Sequence, residues 1–319
     1  MTDDLPLVTF ALLAYNQENY VTEAVNGALS QRYPKLQIIL SDDASADRTF
    51  ELMQEAMSRY DGPHEVILRQ NKKNEGIGAH VNCIMQIAKG EIIIAAAGDD
   101  VSLPDRTSRT VDAFISSDEP VYSVWSRAAY IDDQGSVLQR EFPGNTDGYT
   151  EKSMVRNRLP VIGATHAWRN EVFEFFGPLM SDVMFEDNAI SFRSYLLGAV
   201  KFLDETLVRY RTHMDNLTNF AAGKDLLSVY KAAARRNRWA LTGLAQRRRD
   251  LELATRSANS FSRDGRVLRR ELDWLERRIS RRLRAYEGFP DTPWELAVYA
   301  LSDAEIAKVM LRSLKHRSS

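Results

Sequence analysis

Two adjacent carboxylates, Asp99 and Asp100, follow a run of small residues, Ala-Ala-Ala-Gly, at 95–98. The run has the composition of a buried strand, so both aspartates lie where a strand would leave the core. Side-by-side carboxylates repel each other unless a cation or exposure to solvent relieves the repulsion. This stretch is therefore either a solvated turn or a site for a cation.

The N-terminal half of the chain alternates between strand and helix patterns. Apolar runs predict strands at 8–15, 38–40, 66–68 and 92–96. Apolar residues at helical spacing predict helices at 16–31, 47–60 and 79–88. This alternation implies crossover connections and a mostly parallel sheet with helices on both faces, so the predicted fold class is α/β. Ligands of such sheets bind at the carboxyl ends of the strands.

Polar residues follow each predicted strand and would meet at one edge of this sheet. The polar segments are 14–18, 41–47, 71–76 and 98–100. Each has an ordinary explanation when taken alone: Asp47 is a good helix N-cap, and Asn74 with Gly76 is typical of a turn. Their joint position at strand ends favours a binding site.

Two phosphate-binding motifs are absent from the sequence. No GxGxxG follows the first strand and no GxxxxGK[ST] occurs, which disfavours a dinucleotide-binding domain and a P-loop. A nucleotidyltransferase would carry a Gly-rich basic loop where residues 15–18 read Tyr-Asn-Gln-Glu. Carboxylates at a strand end instead suit Mg²⁺ or Mn²⁺, which bind one or two carboxylates together with water and phosphate oxygens. The pattern points to a nucleoside diphosphate.

Three stretches, in order along the chain, closely resemble the N-terminal half of family 2 glycosyltransferases: YNQENYVTEAVNGALSQRYPKLQIILSDDASADRT, NEGIGAHVN and AAAGDDVSLPDR. The resemblance extends over residues 6–215. It implies a Rossmann-like GT-A fold and an inverting enzyme. Such an enzyme transfers a sugar from a nucleotide donor to a hydroxyl of a saccharide or lipid-linked acceptor, here in bacterial surface polysaccharide synthesis.

The resemblance also implies roles for residues of the predicted edge. The nucleotide pocket would be formed by Tyr15, Glu18, Asp43, Asn74, Gly76 and Asp99. In this pocket Asp43 would accept a hydrogen bond from the base imide, as expected for uracil or thymine. A UDP- or dTDP-sugar is therefore favoured over a GDP-sugar.

The metal motif of the family, Asp-any-Asp, would end at Asp99. Ala97 occupies its first position, which leaves Asp99 and Asp100 as the metal carboxylates. The family's Tyr-Arg-x-His segment would add His213 as a metal ligand and Arg211 as a phosphate partner. An imidazole ligand suits Mn²⁺ better than Mg²⁺. Because of Ala97, a non-catalytic nucleotide-sugar-binding or scaffold protein is the alternative.

Glu186 and Asp187 resemble the acidic catalytic motif of the family. An inverting transfer needs a base that deprotonates the acceptor hydroxyl, and Asp187 is predicted to be that base, with Glu186 in the acceptor site. The pair could also simply cap the following helix. His166 and Trp168 are assigned to the acceptor site because an indole face can stack on a sugar ring, although Trp168 could equally be core.

The C-terminal part of the chain differs in charge and in pattern. Between Lys224 and Arg284, 18 Lys or Arg stand against 7 Asp or Glu, a local charge of +11 in a chain of net charge −2. Helical spacing predicts a helix from Asp225 to Thr255, an Arg-rich amphipathic helix, and a last helix after Pro293. The apolar stripe of the second helix is Leu268, Leu272, Leu275, Ile279, Leu283 and Tyr286.

We expect a GT-A catalytic domain over 1–220 and an Arg-rich α-helical region over 221–319. Three roles are open for this region: packing of its stripe on the catalytic domain, attachment to an anionic inner-membrane surface, and homo-oligomerisation. Clustered Lys and Arg near such a surface contribute about 1 kcal/mol each. Nucleic acid is disfavoured as a partner because the basic stretch lacks interleaved aromatic residues.

Composition bounds the class of protein. The chain has 319 residues, 44% of them hydrophobic, which is enough for one large domain or two modest ones. Cys83 is the single cysteine, which excludes a disulfide framework and a cysteine-based metal cluster. The N-terminus lacks a secretory pattern, and no window approaches a membrane span. We therefore expect a cytoplasmic protein, at most peripheral at the inner membrane face.

Overall fold

The computed structural model describes residues 4–140, 150–156, 161–213, 226–257, 263–289, 291, 299–301 and 303–315. The first half alternates strand and helix, as the periodicity predicts. In chain order its elements are β1 (Val8–Ala14), α1 (Val21–Leu29), β2 (Leu36–Asp42), α2 (Thr49–Ser58), β3 (Glu65–Gln70), α3 (Ile77–Met85) and β4 (Ile92–Ala97).

These four strands form the parallel part of one sheet, in the order β3-β2-β1-β4. Strands β1, β2 and β4 consist almost entirely of buried residues, as expected for parallel strands that are covered on both faces. The carboxyl ends of the four strands therefore lie at one edge, which we call the polar edge. It consists of the segments 14–18, 41–47, 71–76 and 98–100.

The second half of the sheet is mixed. Its elements are β5 (Val101–Ser102), α4 (Arg106–Ile115), β6 (Val121–Ile131), α5 (Glu151–Val155), a 3-10 turn (Gly163–Thr165), β7 (His166–Arg169), α6 (Glu171–Phe176), α7 (Glu186–Leu197) and β8 (Ala199–Arg211). Among the described residues the strand order continues β4-β7-β6-β8-β5. Strand β7 is antiparallel to β4 and β6, and β5 is antiparallel to β8.

The described residues of the C-terminal region form three helices: α8 (Leu226–Arg256), α9 (Gly265–Glu287) and α10 (Ala304–Lys315). Asp264 caps α9, because its carboxylate accepts hydrogen bonds from the main-chain N–H groups of Arg266 and Val267. The predicted domain boundary at 220, and the chain directly after Pro293, lie outside the described residues. No helix in the described part of the chain is long and apolar enough to cross a membrane.

Alternate residues of the central strands face opposite sides of the sheet. Phe10 and Leu12 of β1 pack in a hydrophobic cluster with residues of α1, α2 and α4. Ala11 packs in a second cluster that contains residues of α3, α7, α8 and α9, among them Leu268 and Leu272. The first four residues of the α9 stripe therefore pack in the cluster that covers one face of the sheet. Leu283 and Tyr286 instead pack in a separate cluster with Tyr230 of α8 and Ile306 of α10.

Candidate functional site

The loops after β1 and β2 interlock at the polar edge. The Glu18 main-chain N–H donates to Asp47 Oδ2 at 3.1 Å, and Glu18 Oε2 accepts from the Arg48 N–H at 3.1 Å. Asn16 and Ala44 adopt left-handed backbone conformations, with φ of 51° and 58°. Non-glycine residues in this region store strain that the surrounding contacts must hold, and such residues cluster at binding sites.

Asp43 is the centre of a buried polar wall beside this loop pair. Its Oδ1 accepts hydrogen bonds from Asn71 Nδ2 at 2.6 Å and from the Glu75 N–H at 2.9 Å, and its Oδ2 accepts from the Gly76 N–H at 3.0 Å. Asn74 Oδ1 accepts from the same Gly76 N–H at 2.9 Å. The structure thus brings three of the predicted nucleotide residues together, while Tyr15, 45% exposed, lies nearby along the edge.

The two aspartates that follow β4 have different surroundings. Asp99 Oδ2 lies 3.0 Å from His213 Nε2, just beyond the end of β8. Asp100 is buried, and its Oδ1 accepts a hydrogen bond from the Arg211 N–H at 2.7 Å. Burial, reinforced by the charge of Asp99, raises the pKa of Asp100 well above its usual range. Its Oδ2 has no hydrogen-bond partner among the described residues.

These donors suit a cation, although the side chains are not gathered into a finished metal centre. Within the described residues, no group of three or more His, Cys, Asp or Glu is placed to hold a metal ion. Carboxylate oxygens and an imidazole nitrogen are donors that Mn²⁺ accepts. A buried carboxylate oxygen without a partner is costly, and a cation would satisfy it. The structure thus brings two of the three predicted metal ligands, Asp99 and His213, into contact, while Asp100 keeps one buried oxygen without a partner among the described residues.

Arg211 donates hydrogen bonds to the main chain of the turn after β4 and of the segment after β6. Its Nε donates to the Asp99 carbonyl at 3.0 Å, and its Nη1 donates to the carbonyls of Asp132 and Asp133, both at 3.1 Å. Its Nη2 donates to Glu23 Oε2 at 2.8 Å. Sequence reasoning assigned Arg211 to a phosphate, whereas its guanidinium, 1% exposed, donates to main-chain carbonyls and to the Glu23 carboxylate.

The Glu186–Asp187 pair lies at the start of α7. Burial raises the pKa of Glu186 to about 8, and the charge of Asp187 adds to the shift. Burial also raises the pKa of Asp187 to about 6, against hydrogen bonds from the Asn188 and Gly163 main chain and the charge of Arg247. The residue before the helix, Phe185, makes no side-chain cap hydrogen bond. Both carboxyls of the pair therefore keep their protons to higher pH than exposed carboxyls would.

A glycine makes room for this pair. A Cβ added at Gly163 would lie 2.5 Å from Glu186 Oε1, so the 3-10 turn before β7 fits closely against the Glu186 carboxyl. Helix α3 fixes the segment that leads to α7, because Asn82 exchanges two hydrogen bonds with the Leu179 main chain, both of 2.8 Å. The pair is thus positioned by elements from both halves of the sheet.

The other two residues predicted for the acceptor site are buried in β7. His166 Nε2 lies 2.7 Å from Ser123 Oγ, and burial lowers the pKa of His166 to about 3, so the ring is neutral. The Trp168 ring is 2% exposed and packs against Phe173, with 6.1 Å between ring centroids. No open indole face is presented to a sugar, so the arrangement of Trp168 corresponds to the core alternative.

Sequence reasoning missed Arg247 of α8, a buried arginine, 3% exposed, whose Nη1 donates to the Val155 carbonyl at 2.6 Å. The run Arg247-Arg248-Arg249 reads as a solvated charge cluster. The signal that could have found Arg247 is its spacing, three residues after Leu244 and four before Leu251, which are both buried. Helical periodicity places these three side chains on one face.

Comparison with known proteins adds a family and a fold. The sequence model described as Glycosyl transferase family 2 matches residues 9–176, more than half of the chain. The chondroitin synthase of Pasteurella multocida (strain Pm70) is 25% identical over 218 residues, which are 66% of this chain and 21% of that protein. This chain therefore spans about a fifth of that relative.

Two solved structures share the fold. TarS 1-349 from S. aureus, in complex with UDP, is 17% identical and aligns with a TM-score of 0.55 over 86% of this chain and 72% of that one. The mannosyltransferase PcManGT from Pyrobaculum calidifontis, in complex with GDP-Man and Mn²⁺, is 17% identical and aligns with a TM-score of 0.57 over 99% and 84%. The predicted GT-A architecture with C-terminal helices is confirmed.

Proposed function

Since this chain belongs to glycosyltransferase family 2, we propose that it transfers a sugar from a UDP- or dTDP-sugar to a hydroxyl of a saccharide or lipid-linked acceptor, with inversion. The anomeric carbon would lose its bond to the diphosphate as the acceptor oxygen attacks from the opposite side. The observation that carries the proposal is the position of two clusters, the wall around Asp43 and the Asp99–His213 pair. They lie at the carboxyl ends of β2 and β4, on either side of β1.

The wall around Asp43 supports a pyrimidine base. A carboxylate offers about four acceptor positions, and the protein uses three of them. One position remains for the single imide N–H of uracil or thymine, whereas the guanine edge presents two donors. TarS, which shares the fold, is described in complex with UDP. Tyr15 and Glu18 would complete the pocket from the loop after β1.

A divalent cation is part of the proposal. Asp99, Asp100 and His213 would hold it together with donor phosphate oxygens, and the imidazole favours Mn²⁺. The metal would neutralise charge that develops on the departing diphosphate. Arg211 would fix the Asp99 main chain through its hydrogen bond to the carbonyl, so that the carboxylate stays opposite His213. PcManGT is described with Mn²⁺.

The acid strengths within the acidic pair support Asp187 as the base. With a pKa near 6, Asp187 is ionised at neutral pH and can accept the proton of the acceptor hydroxyl. With a pKa near 8, Glu186 keeps its proton and can donate a hydrogen bond in the acceptor site. Asp187 would thus act as the base and Glu186 as a hydrogen-bond donor, as neighbouring carboxyls of unequal acid strength do in other enzymes.

A basic stripe on α9 supports peripheral attachment to the anionic inner face of a membrane. Its members are exposed and fall within about a third of the helix circumference: Arg266, Arg269, Arg270, Arg277, Arg281 and Arg284. Apart from Arg266, 3.9 Å from Asp264, none of the six forms an ion pair with a described residue. We propose that this α9 stripe places the cytoplasmic enzyme beside lipid-linked acceptors.

Calorimetric titration with UDP, dTDP and GDP, each with and without Mn²⁺, tests the donor site. Wild-type protein should bind UDP or dTDP in a metal-dependent manner, and Asp99→Ala should lose that binding. If the folded wild-type protein binds none of the three, the donor site is wrong. Tight binding without sugar transfer to any acceptor would favour the non-catalytic alternative that Ala97 suggests.

A further inference from the structure

The main chain between α6 and α7 is bound by side chains of other helices. This α6–α7 connection, residues 177–185, leads directly to the acidic pair at the start of α7. Arg193 of α7 donates to the Gly177 carbonyl at 2.8 Å and to the Pro178 carbonyl at 3.3 Å. The next residue is held by α3, through the two hydrogen bonds of Asn82 described above.

The following main-chain group of the connection is bound by the C-terminal region. Gln246 of α8 is fully buried, and its Oε1 accepts a hydrogen bond from the Met180 N–H at 2.7 Å. Its Nε2 donates to Asp250 Oδ1 at 2.9 Å. Because the N–H can only donate and the paired carboxylate accepts, these two neighbours fix the orientation of the Gln246 amide. Asp250 binds Arg193 at 3.0 and 3.1 Å, so the hydrogen bonds form a closed loop that returns to the connection.

The rest of the connection packs on α3 and α8. A Cβ added at Gly78 of α3 would lie 2.8 Å from the Val183 carbonyl oxygen, so α3 fits closely against the chain there. The Phe185 ring packs nearly perpendicular to the Trp239 ring of α8, with 6.3 Å between ring centroids. Phe185 directly precedes the acidic pair. Movement of the connection would therefore displace the two carboxyls.

We propose that Gln246 is a positioning residue for the Glu186–Asp187 pair, so that the C-terminal helical region completes the active site without touching substrate. The proposal rests on the proposed function of this pair in the acceptor site. The connection and α8 both lie beyond the matched residues 9–176. The wall around Asp43 belongs to other elements, so Gln246 should matter for transfer and not for binding of the donor nucleotide.

The first test compares Gln246→Met with Asn237→Leu. Gln246→Met keeps the length of the side chain, removes the acceptor of the Met180 N–H, and leaves no buried charge unpaired. Asn237 is the matched amide of α8, which donates to the Ala233 carbonyl of its own helix at 2.7 Å. The readouts are the Kd for UDP and kcat, measured as UDP release from UDP-glucose or UDP-N-acetylglucosamine, whichever the wild type turns over.

In Gln246→Met, kcat should fall by about 10²-fold, the effect of a misplacement of about 1 Å in a catalytic group. The Kd for UDP should keep its wild-type value. Asn237→Leu should keep both wild-type values. An equal loss of kcat and of UDP affinity in Gln246→Met would overturn the proposal, and so would an unchanged kcat.

A second control separates positioning from stability. Leu251 of α8 is 1% exposed, and Leu251→Ala leaves a cavity that destabilises the packing of the helix. Its Tm should fall at least as far as that of Gln246→Met, whereas its kcat should stay near the wild-type value at a temperature where all variants are folded. If Leu251→Ala loses as much kcat as Gln246→Met, Gln246 only stabilises the fold.

Hydrogen exchange tests the same contact without activity. In Gln246→Met, amide exchange should become faster in peptides that cover residues 177–187 and should keep its wild-type rate in β1 and β2. A uniform increase over the whole chain, or no increase in 177–187, would overturn the proposal. A local increase in a protein that turns over no UDP-sugar would support the role of Gln246 in the connection and refute the proposed function instead.

Discussion

His213 Nε2 lies 3.0 Å from Asp99 Oδ2, across 114 residues of sequence. The contact joins the end of β8 to the turn after β4. Because both side chains are nearly buried, with 8% and 13% exposed, the imidazole holds the carboxylate in one orientation in the absence of substrate.

We expect Asp99→Asn and His213→Gln to weaken nucleotide binding only when Mn²⁺ is present. Loss of one metal donor should raise the Kd for UDP at least tenfold, about 1.4 kcal/mol, in the presence of Mn²⁺. The Kd without metal should stay within about twofold of the wild-type value. The control is His64→Gln, a histidine that bonds the Gln31 carbonyl instead. Equal weakening with and without Mn²⁺ would mean that the pair supports the fold rather than a metal.

The Glu186–Asp187 pair leads to a prediction about rate. Asp187→Asn should lower kcat by roughly 10²–10⁴-fold, because the acceptor hydroxyl loses its base. The Kd for the donor nucleotide should be unchanged. Glu186→Gln should keep a rising limb of kcat/KM near pH 6, since Glu186 is already protonated there. If the rising limb of kcat/KM disappears in Glu186→Gln and persists in Asp187→Asn, Glu186 is the base and Asp187 is the acceptor-site residue.

The same pair should make stability depend on pH. The pKa of Glu186 is raised to about 8 in the folded protein, so the fold is favoured below the unfolded value near 4.3. That contribution is lost as pH rises through about 8. Glu186→Gln cannot ionise, so its Tm should fall less than that of the wild type between pH 5 and pH 9. Glu171→Gln, at an exposed position of α6, should follow the wild-type curve. Parallel curves for all three proteins would contradict the prediction.

The polar edge could be predicted from sequence because each strand and the polar residues that follow it are contiguous in the chain. Each of the first four strands is an apolar run that ends in polar residues, and the parallel arrangement brings those ends together. The two long C-terminal helices were predictable from their periodicity for the same reason. Such signals need no knowledge of distant contacts.

The remaining features depend on contacts between distant parts of the chain. Strand β7 carries His166 and Trp168 between β4 and β6, and only this placement buries them. Arginine is a common partner of phosphate groups, but in this fold the Arg211 guanidinium donates hydrogen bonds to the main-chain carbonyls of Asp99 and Asp132. Arg247 lies in a run of three arginines; its spacing from Leu244 and Leu251 puts it on the buried face of α8, but only the packing of α8 against α7 shows what that face contacts.

The buried ion pair of Arg193 with Asp250 predicts how firmly α8 is attached. Both side chains are fully buried, so Asp250→Ala leaves a guanidinium without its anion and should cost about 3–5 kcal/mol in the free energy of unfolding. The double variant Arg193→Met with Asp250→Leu removes both charges and should recover most of that loss. Urea unfolding measures both variants.

The surface pair of Arg238 with Glu287 is the matched comparison. Its side chains are 58% and 42% exposed, and Glu287→Ala should therefore cost no more than about 1 kcal/mol. If Asp250→Ala costs as little as Glu287→Ala, α8 is not anchored by its buried pair.

The α9 stripe predicts binding to anionic vesicles. Basic residues near such a surface contribute about 1 kcal/mol each, so Gln substitutions at Arg270, Arg277, Arg281 and Arg284 should weaken binding up to about 10³-fold. Sedimentation with vesicles of phosphatidylglycerol and phosphatidylcholine measures the effect. High salt should abolish binding of the wild type, since screening shortens the reach of exposed charges.

The control for the stripe removes the same number of positive charges elsewhere. Gln substitutions at Arg32, Arg59, Lys72 and Lys89, which are exposed or half-exposed on the catalytic domain, lower the net charge equally. If attraction depends on net charge alone, both quadruple variants lose affinity equally, and the α9 stripe has no special role. If the stripe is the contact surface, only the variant with substitutions in the α9 stripe loses binding to the vesicles. Because its six arginines lie on the side of α9 opposite buried Leu268 and Leu272, such a contact would leave the packing of the helix on the catalytic domain intact.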